Sequence, residues 1–243
     1  MTQPDLNAIA QKAYLTDSTG EGFIEPLIHA TQLPSLMARI GAAPRRVLEM
    51  GFGEGTITGP LLESGYDVEL VEGSSALCDD ARARFGSQLP VHCSYFEQFT
   101  PARRFDRVLA LHVLEHVVED AAVVRKMHDW LKPGGQVIAV VPNAESLHRQ
   151  LAVMMGLQPQ LDSLSPRDHL VGHQRVYDLA GFIALFEKAG FEVVEQFGYF
   201  VKTVPNGMMT TWKPELIRSL TQISDQLPPR LLANIGLVVR PKA

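Results

Sequence analysis

Between residues 45 and 143 the chain alternates short apolar runs with segments whose hydrophobic positions recur every three or four residues. "RRVLEM" (45–50) is a compact apolar run and predicts a buried strand. "TITGPLLESG" predicts the helix that follows, stopped by Gly65. "YDVELVEG" is a second strand, with Glu72 at its end, and "SSALCDDARARF" puts Leu77, Ala81 and Phe85 on one helix face. "VHCSYF" (91–96) is a third strand, and "FDRVLALHV" a fourth that is too densely apolar to be half exposed. "EDAAVVRKMHDWL" carries Val123, Met127, Trp130 and Leu131 on one stripe, "KPGG" breaks it, and "QVIAVVPN" is a fifth strand ended by Pro142. Strands separated by helices predict a parallel sheet covered on both faces.

The flanks are less regular. Residues 1–40 have helical spacing interrupted by Pro26 and Pro34. Residues 143–176 form a polar, histidine-containing insertion with a helix around "ESLHRQLAVMMG". "YDLAGFIALFEKAG" is a helix with Asp178 as cap and Gly190 as stop. "FEVVEQFGYF" and "LLANIGLVVRP" are two further strands, and "PELIRSLTQISDQL" a short helix between them. No internal repeat or low-complexity segment is present.

Bulk composition narrows the function classes. At 243 residues, 46% hydrophobic and 20% charged, the chain is long enough for one domain with a sizeable core. The formal charge is −5 and no Lys/Arg run occurs, so the electrostatic footprint of a nucleic-acid binder is missing. Two cysteines, Cys78 and Cys93, imply no disulfide framework. The N-terminus lacks a basic region followed by an apolar core, and no stretch of ~18 apolar residues could span a bilayer. A cytoplasmic enzyme or binding protein, monomeric or homodimeric, is expected.

The candidate chemistry starts at "GFGEG", where Gly51, Gly53 and Gly55 alternate after the first strand. In an open parallel sheet, ligands sit beyond the carboxyl ends of the strands. A dinucleotide site needs Gly-x-Gly-x-x-Gly, but Thr56 stands at the third glycine position and Glu54 would oppose the phosphates. S-adenosylmethionine has no phosphate, and its cationic groups tolerate carboxylates. Its ribose diol suits an acid at the tip of the second strand, where Glu72 stands before Gly73. Glu49, three glycines, Glu72 and "LKPGG" together outweigh a plain strand-to-helix turn.

Residues 45–142 resemble the class I S-adenosylmethionine-dependent methyltransferases in "VLEMGFGEG", "LVEGS", "FDRVLALHVLEHV" and "LKPGGQVIAVVPN". "LEHV", "KPGG" and the later "GHQRVYDLAGFIALFEKAGFEVVE" are similar to the subgroup of ubiquinone-biosynthesis and secondary-metabolite methyltransferases. The resemblance implies an α/β, Rossmann-like, doubly wound, mostly parallel seven-stranded sheet with a helical lid. It implies one domain, with a core over 41–142, 177–204 and 231–243, an N-terminal helical segment over 1–40, and lid insertions over 143–176 and 205–230. S-adenosylmethionine would be held by Glu49, Gly51, Phe52, Gly53, Gly55, Glu72, Gly73, Ser74 and Leu111. The family often has an acid after the third strand for the adenine amino group. Here Ser94 occupies that place, with Tyr95 or Phe96 along the adenine face and Glu97 as a second acceptor candidate.

Methyl transfer to a hydroxyl or ammonium gains from a base, and histidine suits that role near neutral pH. His112 and His116 flank "VLE" after the fourth strand and would share a face on a helical turn. His116 also reads as packing at a helix start. Two histidines invite a metal, but no third ligand is near in sequence, so none is expected. In "DHLVGHQRVY", the family resemblance implies a structural role for His173 and Arg175, tying the insertion to the core, which leaves His169 as the freer candidate for substrate contact. Tyr14 is open between closing over the cofactor and packing. Met154, Met155, Met208 and Met209, if they line the lid, predict a partly apolar acceptor. The expected product is a small molecule methylated on oxygen or nitrogen, plus S-adenosylhomocysteine. A protein methyltransferase, a non-catalytic cofactor-holding module and, less favoured, a nicotinamide oxidoreductase are the alternatives.

Overall fold

The computed structural model describes residues 5–16 and 22–242. Part of the N-terminal segment expected to be helical, residues 1–4 and 17–21, therefore lies outside the described residues. The chain forms α1 (Leu6–Ala13), α2 (Ile24–Ile40), β1 (Arg46–Met50), α3 (Thr58–Glu63), β2 (Asp67–Glu72) and α4 (Ser75–Phe85). It continues through β3 (Val91–Cys93), β4 (Phe105–Leu111), α5 (Asp120–Trp130), β5 (Leu131–Pro142), α6 (Leu147–Met154) and α7 (Pro166–Val171). It ends with α8 (Leu179–Lys188), β6 (Phe191–Tyr199), α9 (Pro214–Gln222) and β7 (Asn234–Pro241).

The seven strands form one sheet in the order β3-β2-β1-β4-β5-β7-β6. β1 to β5 are parallel, and β7 enters antiparallel between β5 and β6. Strand alternation then builds two cores. Leu48, Met50, Val108, Ala110, Val137 and Ala139 face one side with Met127, Trp130, Phe182 and Phe186 of α5 and α8. Val47, Leu109 and Ile138 face the other side with Ile40, Leu61, Leu77 and Ala81 of α2, α3 and α4. A sheet apolar on both faces must be covered on both, so the helices divide between the two sides. The chain leaves β1 toward β2 in one direction and β4 toward β5 in the other, which opens a crevice between the carboxyl ends of β1 and β4.

Several local expectations differ from the structure. Pro34 does not interrupt α2, which runs through it for 17 residues. Pro34 and Ala30, whose carbonyl loses its helical partner, are both on the solvent-exposed face, where an unpaired carbonyl costs little. Pro26 lies in the first helical turn, where the amide is unpaired in any case. "KPGG" is not a connection before β5. The β4 ladder already pairs Phe105 with Leu131 and then shifts register before Arg107 and Gln136, so residues 132–135 are a bulge in the strand. β3 stops at Cys93, three residues before the apolar run ends, because Tyr95 to Phe99 fold into a turn closed on the Tyr95 carbonyl. No helix of the described residues is long and apolar enough to cross a membrane.

Candidate active site

A cavity of about 490 Å³ opens at the carboxyl ends of the central strands. Its walls come from the loops after β1, β2 and β4, from α1 and α2, from α6 and α7, and from residues 199–206. Residues 210–230, part of the expected lid, contribute nothing to its lining; instead Ile217 of α9 packs against Ile24 and Ile28 of α2 and backs that helix from outside.

The loop after β1 turns through three glycines of positive φ: +78° at Gly51, +53° at Gly53 and +68° at Gly55. At Gly55 a side chain is also excluded by space, since a Cβ would lie 2.7 Å from the Phe52 ring. Gly51, Phe52 and Gly53 line the cavity, whereas Gly55 supports the loop from behind. Glu72 ties this loop to the next one. Its two carboxylate oxygens accept from the amide of Phe52 at 2.9 Å and the amide of Ser74 at 2.6 Å. Burial pushes its pKa up, and these backbone donors pull against that shift. Gly73 is the seat of α1: a Cβ there would overlap Leu6 Cδ1. Asn7 of α1 meanwhile accepts from Ser74 Oγ at 2.8 Å. Glu49 lies deeper, 5% exposed, accepting from the Thr58 hydroxyl at 2.8 Å. Burial raises its pKa to about 8.

Tyr95, Phe96 and Leu111 reach the cavity, as do Gly73 and Ser74. Ser94 does not: its hydroxyl donates to the Tyr95 carbonyl, and its amide continues the ladder to the Glu72 carbonyl. Glu97 is also outside the lining. Tyr14 is part of the wall, packed against the hydrophobic cluster that contains Leu77 and Phe52.

The fourth-strand motif folds differently from a helical turn. His112 continues the β4–β5 ladder through its amide to the Val140 carbonyl, and takes φ +55°. A non-glycine residue at positive φ is strained, and such strain persists only where its surroundings over-determine it. His112 and His116 consequently do not share a face. His112 Nε2 lies 2.7 Å from Tyr199 Oη, and Nδ1 lies 3.4 Å from Glu115 Oε1. His116 instead meets His173 edge to face, ring centroids 4.6 Å apart. Glu115 stands between them, fully buried, with neither oxygen in a hydrogen bond. The His112, His116 and His173 imidazoles hold its carboxyl below the usual range against the opposing effect of burial. His112 is shifted upward: desolvation opposes its charge, and the Glu115 and Glu25 carboxylates overcome that. His116 is pushed down to about 4 by burial.

The expectation of no metal rested on the lack of a third nearby ligand, and the fold removes that ground. Glu115, His116 and His173 bring ligand atoms within 4.8 Å of one another, a grouping a divalent ion could use. His173 Nδ1 is already bonded to Asp168 Oδ1 at 2.8 Å. Asp168 in turn caps α7 through Ser165 and pairs with Arg149 Nη2 at 2.8 Å; against burial, the His173 hydrogen bond first, then those of Ser165, and last the Arg149 charge hold its pKa well below the carboxylate range. We read the trio as the meeting point of this Arg149–Asp168–His173 network with the β4 loop. Arg175 closes the same junction by donating to the carbonyls of Leu114, Val117 and Val118.

Two groups of acceptor-side candidates lie away from the cavity. His169 is exposed on α7 and outside the cavity, because the capping box turns Asp168 inward and its neighbour outward. The methionines do not line the cavity either. Met154, Met155 and Met208 are 79%, 69% and 65% exposed, and Met209 fills a core cluster with Ile24 and Phe200. The wall opposite the glycine loop is instead built from Glu25, His29, His148, Tyr199, Lys202 and Asn206. Glu25 and His29 are one turn apart on α2, and a polar pair at that spacing on an apolar helix was the available sequence signal. Tyr199 and Asn206 carry no local signal.

The family model described as "Methyltransferase domain" matches residues 27–196, more than half of the chain. The chain is 28% identical over 190 residues to a ubiquinone biosynthesis O-methyltransferase of Aromatoleum aromaticum, covering 75% of this chain and 79% of that one. It is 30% identical over 112 residues to the enzyme of that name from Bradyrhizobium diazoefficiens, but this spans only 45% of the chain and 44% of the relative. Among solved structures, a methyltransferase from Streptomyces caelestis superposes with a TM-score of 0.68 at 16% identity over 100% of both chains. The 1,6-didemethyltoxoflavin-N1-methyltransferase of Burkholderia thailandensis, solved with S-adenosylhomocysteine, gives 0.60 at 18% identity, covering 100% of this chain and 92% of that one. With the glycine loop, the acid ending β2 and the strand order already in place, the chain belongs to the class I S-adenosylmethionine-dependent methyltransferases.

Proposed function

We propose that this enzyme methylates an oxygen or nitrogen of a small-molecule acceptor, with His112 as the base that takes the acceptor's proton. The observation that carries this reading is the position of His112 where the glycine-loop half of the cavity meets the half walled by Glu25, His29 and Tyr199. A volume of about 490 Å³ matches a small-molecule pocket better than a groove for a protein chain. The relatives named for an O-acceptor and the structural neighbour named for an N-acceptor support the same class.

The residues fit the cofactor. Gly51, Gly53 and Gly73 leave the backbone thin along the cavity, Glu72 is held in place for a diol, and Glu49 offers a carboxyl to a cationic group. S-adenosylmethionine, when bound, supplies a methyl group activated by its sulfonium. The chain then has to orient the acceptor, exclude water and hold the released proton. Glu115 favours the imidazolium that His112 becomes, and α1, α6 and α7 would cover the reacting atoms.

The test is incubation of the purified protein with isotopically labelled S-adenosylmethionine and a panel of phenols, alcohols and amines. Label in a small product, with S-adenosylhomocysteine released, is the expected result. Label appearing only in protein would replace this reading with that of a protein methyltransferase. Tight cofactor binding without transfer to anything would leave a cofactor-holding module.

Glu49 makes a separate prediction for the unliganded protein. Its carboxyl rises from 4.5 to about 8 on folding, so between these values the folded state holds more protons than the unfolded one. Stability from this group is then greatest below pH ~4.5, falls as pH rises toward 8, and falls no further above it. The slope is at most about 1.4 kcal/mol per pH unit. Melting temperatures measured from pH 5 to 8.5 should show Glu49→Gln gaining on the wild type as pH rises. Parallel curves for the two proteins would show that Glu49 is ionised in the fold.

A further inference from the structure

We propose that Tyr199 is a catalytic residue, the group through which the acceptor's proton reaches His112. This rests on the reading of His112 as base and adds the route. Tyr199 lies at the end of β6, 87 residues from His112 in sequence, with its hydroxyl 2.7 Å from Nε2. Its side chain is buried except where it lines the cavity. His112 Nδ1 stands 3.4 Å from Glu115 Oε1, outside hydrogen-bond geometry, and the negative charge of that carboxylate favours the ring proton on Nδ1 and the lone pair on Nε2. The Tyr199 hydroxyl occupies that lone pair. An acceptor hydroxyl or ammonium in the cavity then meets the Tyr199 oxygen before it meets the imidazole.

The backbone is strained on both sides of this contact. Among the described residues, the non-glycine positions with positive φ are His112 at +55° and Phe200 at +68°. Phe200 directly follows Tyr199. It is held by its amide to Ser224 Oγ at 2.8 Å and by its carbonyl accepting from Ala233 at 2.8 Å. Two unfavourable conformations, each fixed by ordinary hydrogen bonds, bring one phenol and one imidazole together. Strain of this kind clusters at sites where geometry serves function. Burial and the Glu25 and Glu115 carboxylates raise the Tyr199 pKa well above its usual value, so a free phenolate does not accumulate.

The proton transfer therefore balances within the chain. The new bond from acceptor to methyl forms as the methyl–sulfur bond breaks. The acceptor's proton passes to the Tyr199 oxygen while the Tyr199 proton passes to Nε2. The positive charge lost from sulfur ends on an imidazolium facing Glu115, and Tyr199 is a neutral phenol before and after.

The test uses the S-adenosylhomocysteine complex and turnover together. Ring nitrogen NMR signals of His112, followed over pH, should show the proton on Nδ1 and a hydrogen-bonded Nε2 in the neutral form. Tyr199→Phe should move the Nε2 signal toward that of an unbonded lone pair. The groups facing His112 in this titration are Glu115 and His116 on its own loop, Glu25 and His29 on α2, and Tyr199 on β6. Tyr199→Phe should keep its affinity for S-adenosylhomocysteine, which certifies the fold, and lose about 100-fold in kcat. Adding it to His112→Asn should cost nothing more, since two members of one relay are not additive. A neutral His112 with its proton on Nε2, or losses that multiply in the double variant, would overturn the relay. Full activity in Tyr199→Phe beside an inactive His112→Asn would remove the relay alone. Full activity in His112→Asn would remove the base reading, and the relay with it.

Discussion

His112→Asn is expected to slow methyl transfer by about 1,000-fold, the scale of losing a positioned general base, while binding S-adenosylhomocysteine as the wild type does. Asparagine is the substitution to use. It tolerates the left-handed backbone that His112 adopts at φ +55°, so the β4–β5 loop should keep its path. It cannot accept a proton near neutral pH. The pH profile separates loss of a base from loss of shape. In the wild type His112 is shifted above its ordinary value, chiefly by Glu115 working against burial. The base is active only when deprotonated, so kcat/KM should rise with pH along a limb displaced upward from that of a free imidazole. Glu115→Gln removes the carboxylate that favours the charged ring, and the limb should move to lower pH. The residual activity of His112→Asn should lack the limb. If His112→Asn turns over within a few-fold of wild type with the limb unchanged, another group takes the proton.

Glu72→Ala is expected to weaken S-adenosylhomocysteine binding by about 100-fold, from the loss of hydrogen bonds to a charged group at about 1.5–3 kcal/mol each. The carboxylate has two tasks. It would accept from the ribose hydroxyls, and it already accepts from the amides of Phe52 and Ser74. Alanine removes both, so the glycine loop and the start of α4 lose their common anchor. Calorimetric titration at neutral pH measures the loss, and a melting curve on the same sample checks that the sheet persists. Glu72→Gln should fall between the two proteins, because its amide retains one accepting oxygen but loses the charge. Unchanged affinity in Glu72→Ala would mean the nucleoside lies elsewhere in the cavity.

Both predictions concern residues at the ends of central strands, and these are the positions a sequence shows best. Glu49, Gly51, Gly53, Glu72 and His112 are each fixed by the strand just before them. A buried strand is a dense apolar run, and its first polar or glycine residue marks where the chain leaves the sheet. For that reason the order of strands and helices over 45–142, the glycine loop and the acid ending β2 are legible in the sequence. The resemblance put Ser94 at the adenine, whereas a tight turn after a three-residue strand directs its hydroxyl to the neighbouring carbonyl rather than into the pocket. His169 lies outside the cavity, since helix register at a capping box turns Asp168 inward and its neighbour out.

What the sequence determined by itself is the α/β sheet, its cofactor edge and the presence of titratable groups after β4. These follow from hydrophobic period and from strand ends, both local properties. What only the tertiary structure decided is which groups meet. Tyr199 joins His112 across 87 residues, and His173 reaches His116 and Glu115 from the insertion. Glu25 and His29 arrive on a helix whose apolar spacing reads as ordinary packing. The Tyr199 contact depends on β7 entering antiparallel between β5 and β6, which runs β6 parallel to β4 and sets its end on the same side of the sheet as the fourth-strand loop. Strand pairing of that kind is selected by the whole sheet and its two cores, and no window of neighbouring residues contains it.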